Sequence, residues 1–129
     1  MTESPADRND RGSTQANEPV EATLDIDHLS RMTLGDRDLE REVLQLFDRQ
    51  TGMLADRLRE APAALAASCA HTLKGSARGI GAWRLAHAAE RVEHVIAIAA
   101  GEADLTAAVA QLVGAVDETR NAIARRLAA

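Results

Sequence analysis

The stretch APAALAASCAHTLKGSARGIGAW, residues 61–83, decides how the chain folds. Pro62 has a fixed backbone angle and no N–H, so it is tolerated in the first turn of a helix and costly inside one. Past it, at about 100° per residue, Leu65, Cys69, Leu73, Ser76 and Ile80 fall on one side and read as a core stripe. Gly79 or Gly81 then stops the helix. The alanine-rich body between these signals suits a helix and not a strand.

Upstream, Leu39, Val43, Leu46, Phe47, Leu54 and Leu58 recur at steps of three and four across residues 37–60, the pattern of an amphipathic helix. Only a few residues separate it from Pro62, so the two helices are expected to lie antiparallel. Asp36 is a good N-cap for it, and the Leu34-Gly35-Asp36 step separates it from a short first helix carrying Ile26, Leu29 and Met32, capped by Asp25 or Asp27. Downstream, residues 82–99 turn Leu85, Ala89, Val92, Val95 and Ile96 inward and end before Gly101. Residues 103–127 then carry Leu105, Val109, Leu112, Val116, Ile123 and Leu127 on one stripe. Four long helices with short links predict an all-α, up-down-up-down antiparallel four-helix bundle with a short extra N-terminal helix. Residues 1–22 hold almost no apolar anchor and are expected to form a disordered acidic tail, leaving residues 23–129 as the bundle domain.

Composition narrows the function. A chain of 129 residues holds one domain with a real core. Its net charge of -5 offers no basic surface for nucleic acid, so neither DNA nor RNA is an expected partner. No segment has the length and hydropathy of a membrane span and no signal peptide is evident, which suits a soluble protein of the cytoplasm. The lone Cys69 has no second cysteine for an internal disulfide, in keeping with a reducing compartment. The high Ala and Arg content fits a bacterium with GC-rich DNA.

The residues that the third helix does not need for its core are the informative ones. On the helical wheel Ala67, His71, Lys74 and Arg78 cluster roughly opposite the apolar stripe, which turns the histidine towards solvent. Of its neighbours one turn away, Ala67, Ser68 and Gly75 are small, leaving the imidazole on a low surface that another protein can approach. Gly75 costs the helix about 1 kcal/mol relative to alanine, a cost that points to a need for access. An exposed imidazole, with its ordinary pKa of about 6.5, is largely unprotonated and nucleophilic near pH 7. Nearby cations would offset the charge of an incoming phosphoryl group. The run GSARGIG lacks the Lys-Ser or Lys-Thr of a P-loop and follows no strand, so the phosphoryl group is expected to come from another protein and not from a bound nucleotide.

The run His71-Thr72-Leu73-Lys74-Gly75-Ser76-Ala77, followed by Gly81-Ala82 and Leu85, resembles the signature of histidine-containing phosphotransfer (HPt) domains, whose histidine is reversibly phosphorylated in two-component phosphorelays. The Leu34-Gly35-Asp36 break, the helix with Phe47 and the spacing from Leu85 to Glu93 are similar too, so the resemblance covers roughly residues 24–127. It implies His71 as phosphoryl acceptor, Lys74 as the cation supporting the phosphoryl oxygens, and Gly75 as the gap through which a partner's active site reaches the ring. Ala67, Ser68 and Arg78 would then meet the partner. Arg78 departs from the small or uncharged residue common in the family and is expected to adjust which partner is accepted. The partners implied are response-regulator receiver domains, including those of hybrid histidine kinases. The chain needs no cofactor of its own, because the receiver would bring Mg²⁺. A monomer is expected.

Two other function classes fit the helical pattern. A dimeric histidine-kinase core would place a proline and an acidic residue shortly after its histidine, which His71-Thr72-Leu73-Lys74 lacks. A non-catalytic docking module would have no use for His71, Lys74 and Gly75 together. A metal site gains no support: Cys69 and His71 lie about 200° apart on the wheel, and no spacing matches a zinc signature. His87 and His94 share a face of the fourth helix and read as solvated, His28 reads as a surface residue, and Trp83 is expected to pack over the end of the third helix.

Overall fold

A computed structural model describes residues 23–129; the expected tail over residues 1–22 lies outside the described residues. Within them the chain forms five helices and no strand: α1 (Ile26–Met32), α2 (Arg37–Leu58), α3 (Ala63–Ile80), α4 (Trp83–Ala97) and α5 (Glu102–Ala128). Helices α2 to α5 close a ring in which α2 packs on α3, α3 on α4, α4 on α5 and α5 back on α2, while α1 lies across α3. This is an all-α bundle with a short additional helix, and its short connections agree with an up-down-up-down order. No described helix is long and apolar enough to cross a membrane.

The helix boundaries follow from local chemistry. Asp25, not Asp27, caps α1, its carboxylate accepting from His28 N at 3.1 Å, and Asp36 caps α2 by accepting from the backbone N–H groups of Asp38 and Leu39. Pro62 sits just before the first residue of α3. At the other end Gly81 takes a left-handed φ of 82°, and Ala82 N returns to Ala77 O at 2.9 Å, closing the helix and starting α4 within two residues. An added Cβ at Gly81 would lie 3.0 Å from Asp25 Cβ and 3.2 Å from His28 Cβ, so this glycine also allows α1 to approach.

The buried face of α3 differs from the expected stripe. Cys69, Leu73 and Ile80 are buried as expected, but Leu65 is 46 % exposed and Ser76 is only half-buried. Ala66, Ala70 and Ala77 are buried instead. The helix is flanked by three others, so its core face is wider than one stripe, and the alanines let the neighbouring backbones come close. On α2 the expected Leu39 and Leu46 face solvent, while Leu44, Phe47, Thr51, Ala55 and Leu58 face the core. The missed Leu44 lies nearer the direction set by Phe47 and Leu58 than Leu46 does. Likewise only Leu29 of α1 is buried, with Ile26 and Met32 exposed. The inward set of α4 holds, except that Ile96 is half-buried, and on α5 Leu112, Val116 and Ile123 are buried. Each fully buried Leu or Ile contributes about 1.5–3 kcal/mol.

The buried threonines of α2 and α5 and the buried Glu40 find partners inside the bundle. The Thr51 and Thr119 hydroxyls donate to carbonyls one turn back in their own helices, at 2.9 and 2.7 Å. Buried Glu40 accepts two hydrogen bonds from the Arg126 guanidinium, at 2.8 and 3.2 Å, tying the start of α2 to the end of α5. The hydrogen bond from Arg126 pulls the Glu40 carboxyl below its ordinary value, against the upward effect of burial.

Candidate functional site

The α3–α4 hairpin builds the site. Because the two helices run back along each other from the turn at Gly81-Ala82, residues at equal distances from the turn meet. His71 therefore lies level with Glu93, while the long Arg78 side chain reaches along the hairpin to Glu90. The imidazole is the most open of these groups, with 74 % of its side chain exposed. Its Nδ1 lies 2.9 Å from Glu93 Oε2. Glu93 Oε1, sealed from solvent, lies 2.7 Å from Lys74 Nζ, so one carboxylate bridges the histidine and the lysine.

Burial would raise the Glu93 carboxyl, but the hydrogen bonds and charges of Lys74 and His71 outweigh it and hold the group below its ordinary value. Glu93 is thus ionised at neutral pH and can only accept. In the neutral ring Nδ1 must then carry the hydrogen, which leaves the lone pair on Nε2, the ring atom away from Glu93. Fixing one nitrogen as donor makes the other the nucleophile.

Lys74 stands elsewhere than the wheel suggested. It was expected on the open face beside His71, but its side chain is only 19 % exposed and turns into the α3–α4 interface. Gly75 is exposed, and an added Cβ would meet nothing within 4 Å: the space above it is open. Ser68 is exposed and Ala67 half-buried, so the surface beside His71 is low. Arg78 pairs with Glu90 at 3.5 Å on the surface, both half exposed, a contact worth little to stability.

Glu93, which contacts both His71 and Lys74, is the residue of this cluster to which sequence reasoning gave no role. Its signal was present: His71 stands ten residues before Gly81 and Glu93 eleven after Ala82, so a hairpin turning there brings them level. His28, expected to be a plain surface residue, is half-buried. Its Nε2 lies 3.2 Å from Gly79 O and its ring meets Trp83 edge to face at 5.0 Å. The Trp83 indole donates to Asp25 Oδ2 at 2.8 Å, so it packs at the end of α3 as expected while also fastening α1. His87 and His94 are exposed. Among the described residues no group of three or more His, Cys, Asp or Glu side chains is placed to hold a metal ion.

A family model, the Hpt domain, matches residues 41–125, well over half of the chain and the whole of the His71 hairpin. The chain belongs to the Hpt domain family. Neither the curated proteins nor the solved structures searched gave a match. Hpt domains carry out histidine phosphotransfer in phosphorelays, with response-regulator receiver domains as partners. In this Hpt domain, the only histidine on the open face of the hairpin with its Nδ1 held by a carboxylate, among the described residues, is His71.

Proposed function

We propose that His71 accepts a phosphoryl group from the phospho-aspartate of one receiver domain and passes it reversibly to another. The observation that carries this reading is the open imidazole whose Nδ1–H is held by Glu93, leaving Nε2 as the nucleophile. The Nε2 lone pair attacks phosphorus in line with the aspartyl oxygen. As the N–P bond forms, the P–O bond to the aspartyl carboxylate breaks and that carboxylate leaves with the bonding pair. The ring keeps its Nδ1 hydrogen and becomes cationic, and the Glu93 carboxylate 2.9 Å away stabilises that charge. Reversal needs the same cationic ring as leaving group, so the contact serves both directions.

Lys74 supports the phosphoryl oxygens in this reading. Its ammonium has three donors, and Glu93 occupies one direction at most, so the group serves the incoming phosphoryl while anchored. Gly75 leaves space for the partner's loops, Ala67 and Ser68 give the contact its low floor, and Arg78 sits at the rim, where a charge influences partner choice. The domain acts as a monomer in the cytoplasm, its His71 face free for successive partners.

The test is incubation with a panel of phosphorylated receiver domains, comparing the wild type with His71→Gln. Acid-labile label on the wild type and none on a variant of unchanged helicity supports the reading. Label on both would place the acceptor elsewhere.

A further inference from the structure

We propose that Arg78 holds the phosphoryl group once it is on His71, giving up Glu90 to do so, an inference that rests on His71 as the acceptor. The two residues are seven apart on α3, nearly two full turns, so Arg78 stands on the same line of the helix as His71, about 20° round from it. Its side chain runs back along that line. His71 is level with Glu93, so in the antiparallel hairpin Glu90, three residues earlier on α4, is level with Lys74 and not with Arg78. The Arg78 guanidinium meets Glu90 at 3.5 Å and is thereby drawn from its own backbone towards the imidazole. A phosphoryl group on Nε2 is then about one helical turn, roughly 5 Å, further along the helix, within the swing of so long a side chain. The track between them is clear. Of the two residues that straddle it, Lys74 turns into the α3–α4 interface, and Gly75 has no side chain and nothing within 4 Å of where a Cβ would stand.

The charge balance of the site supplies the reason. A phosphoryl group carries about two negative charges near neutral pH. The phosphorylated ring and Lys74 each bring one positive charge, but Glu93 lies 2.9 Å from the first and 2.7 Å from the second and cancels one of them. Roughly one negative charge of the phosphoryl group is left unmatched. Arg78 is the other cation of α3, and its hold on Glu90 is weak, since both side chains are about half exposed and Glu90 is hydrated when released. A guanidinium also offers parallel donors that fit two phosphoryl oxygens. In the resting domain Glu90 keeps the arginine away from the neutral imidazole, whose Nε2 lone pair stays free. After transfer the arginine crosses to the phosphoryl oxygens and weights the equilibrium towards phosphohistidine. It adds no bond-making step of its own.

The experiment compares the full chain as wild type, Arg78→Ala, Arg78→Lys, Glu90→Gln, and Arg78→Ala combined with Glu90→Gln. Each is phosphorylated by a receiver domain and, separately, by phosphoramidate, which hands its phosphoryl group to the imidazole and releases ammonia. Two quantities are read: the equilibrium partition of label between receiver and His71, and the pH midpoint of the phosphohistidine ³¹P signal. The inference expects Arg78→Ala to move the partition away from His71 about three- to tenfold and to raise the midpoint by about half to one pH unit. Arg78→Lys should recover only part of this. Glu90→Gln should move both quantities the opposite way, and should do little once Arg78 is absent. Arg78→Ala and Glu90→Gln break the same surface pair, so a merely structural role would move them alike. Melting temperatures should stay near that of the wild type. A ³¹P midpoint in Arg78→Ala equal to the wild type overturns the inference. If phosphoramidate labels His71 and no receiver does, the relay reading falls and the ³¹P midpoints still decide the role of Arg78. No label at His71 from either donor overturns both.

Discussion

Replacing Glu93 with Gln keeps the shape of the side chain and removes its charge. In the native protein that charge faces Lys74 Nζ at 2.7 Å and His71 Nδ1 at 2.9 Å, and the Glu93 and Lys74 side chains are 25 % and 19 % exposed. A charged hydrogen bond at this depth contributes about 1.5–3 kcal/mol, and Lys74 recovers part of the loss by swinging into solvent. The net destabilisation should be about 2 kcal/mol, or a fall in Tm of about 10 °C for a domain of this size. The amide oxygen still accepts from Nδ1–H, so the tautomer survives, but the cationic ring loses its counter-charge. Transfer to His71 should slow about tenfold, the equivalent of about 1.4 kcal/mol. Thermal melts followed by circular dichroism at pH 7 and single-turnover transfer from a phosphorylated receiver measure the two effects. Lys74→Met alone and combined with Glu93→Gln completes a cycle in which the double variant loses less than the sum. An unchanged melt together with an unchanged rate would refute the bridging role of Glu93.

Gly75→Gln should stabilise the domain by about 0.5–1 kcal/mol, because α3 gains helix propensity and an added Cβ meets nothing. It should slow transfer by crowding the approach to His71, and equal rates would remove the access argument. Gly81→Ala should cost about 1–3 kcal/mol, since φ 82° strains any Cβ and Asp25 lies 3.0 Å from it, with slower transfer following only if α1 shifts; a melt at the wild-type temperature would contradict this. Asp25 is held below its ordinary value of 3.8 by hydrogen bonds from Trp83 and the His28 backbone, and Glu40 and Glu93 are held below 4.5. The unfolded chain therefore binds more protons in this range than the folded one. Stability is full above the ordinary carboxylate values and drains away as pH falls through the lowered ones. Urea midpoints from pH 6 down to pH 2 should show this slope, and Glu40→Gln should flatten it.

The hairpin at the heart of the site was legible because its signals are local. Pro62, the glycines near 81 and the 3.6-residue spacing of Cys69, Leu73 and Ile80 need no tertiary information, and the caps at Asp25 and Asp36 are equally local. What a wheel cannot supply is the number of neighbours a helix has. That is why Leu65 was placed inside on α3 while Ala66 was left unassigned, and why Leu46 was read as inward on α2 while Leu44 was not. The same limit hid the site's electrostatics. Lys74 was read as an exposed cation because its own helix says nothing of Glu93, a residue of α4 that becomes its partner only when the hairpin closes. His28 lost its surface status for a similar reason, since Gly79 and Trp83 reach it from α3 and α4. Leu34 was recognised as part of a break, but its 89 % exposure and left-handed φ were not, because both are tertiary facts.

The account turns on one bond, nitrogen to phosphorus at His71. Label the protein uniformly with ¹⁵N, phosphorylate it with a receiver domain, and record ¹⁵N and ³¹P spectra of the histidine rings at neutral pH. The account predicts phosphorus coupled to Nε2 of His71, with Nδ1 still protonated and shifted by its contact with Glu93. Phosphorus on Nδ1, or on any residue other than His71, would contradict it.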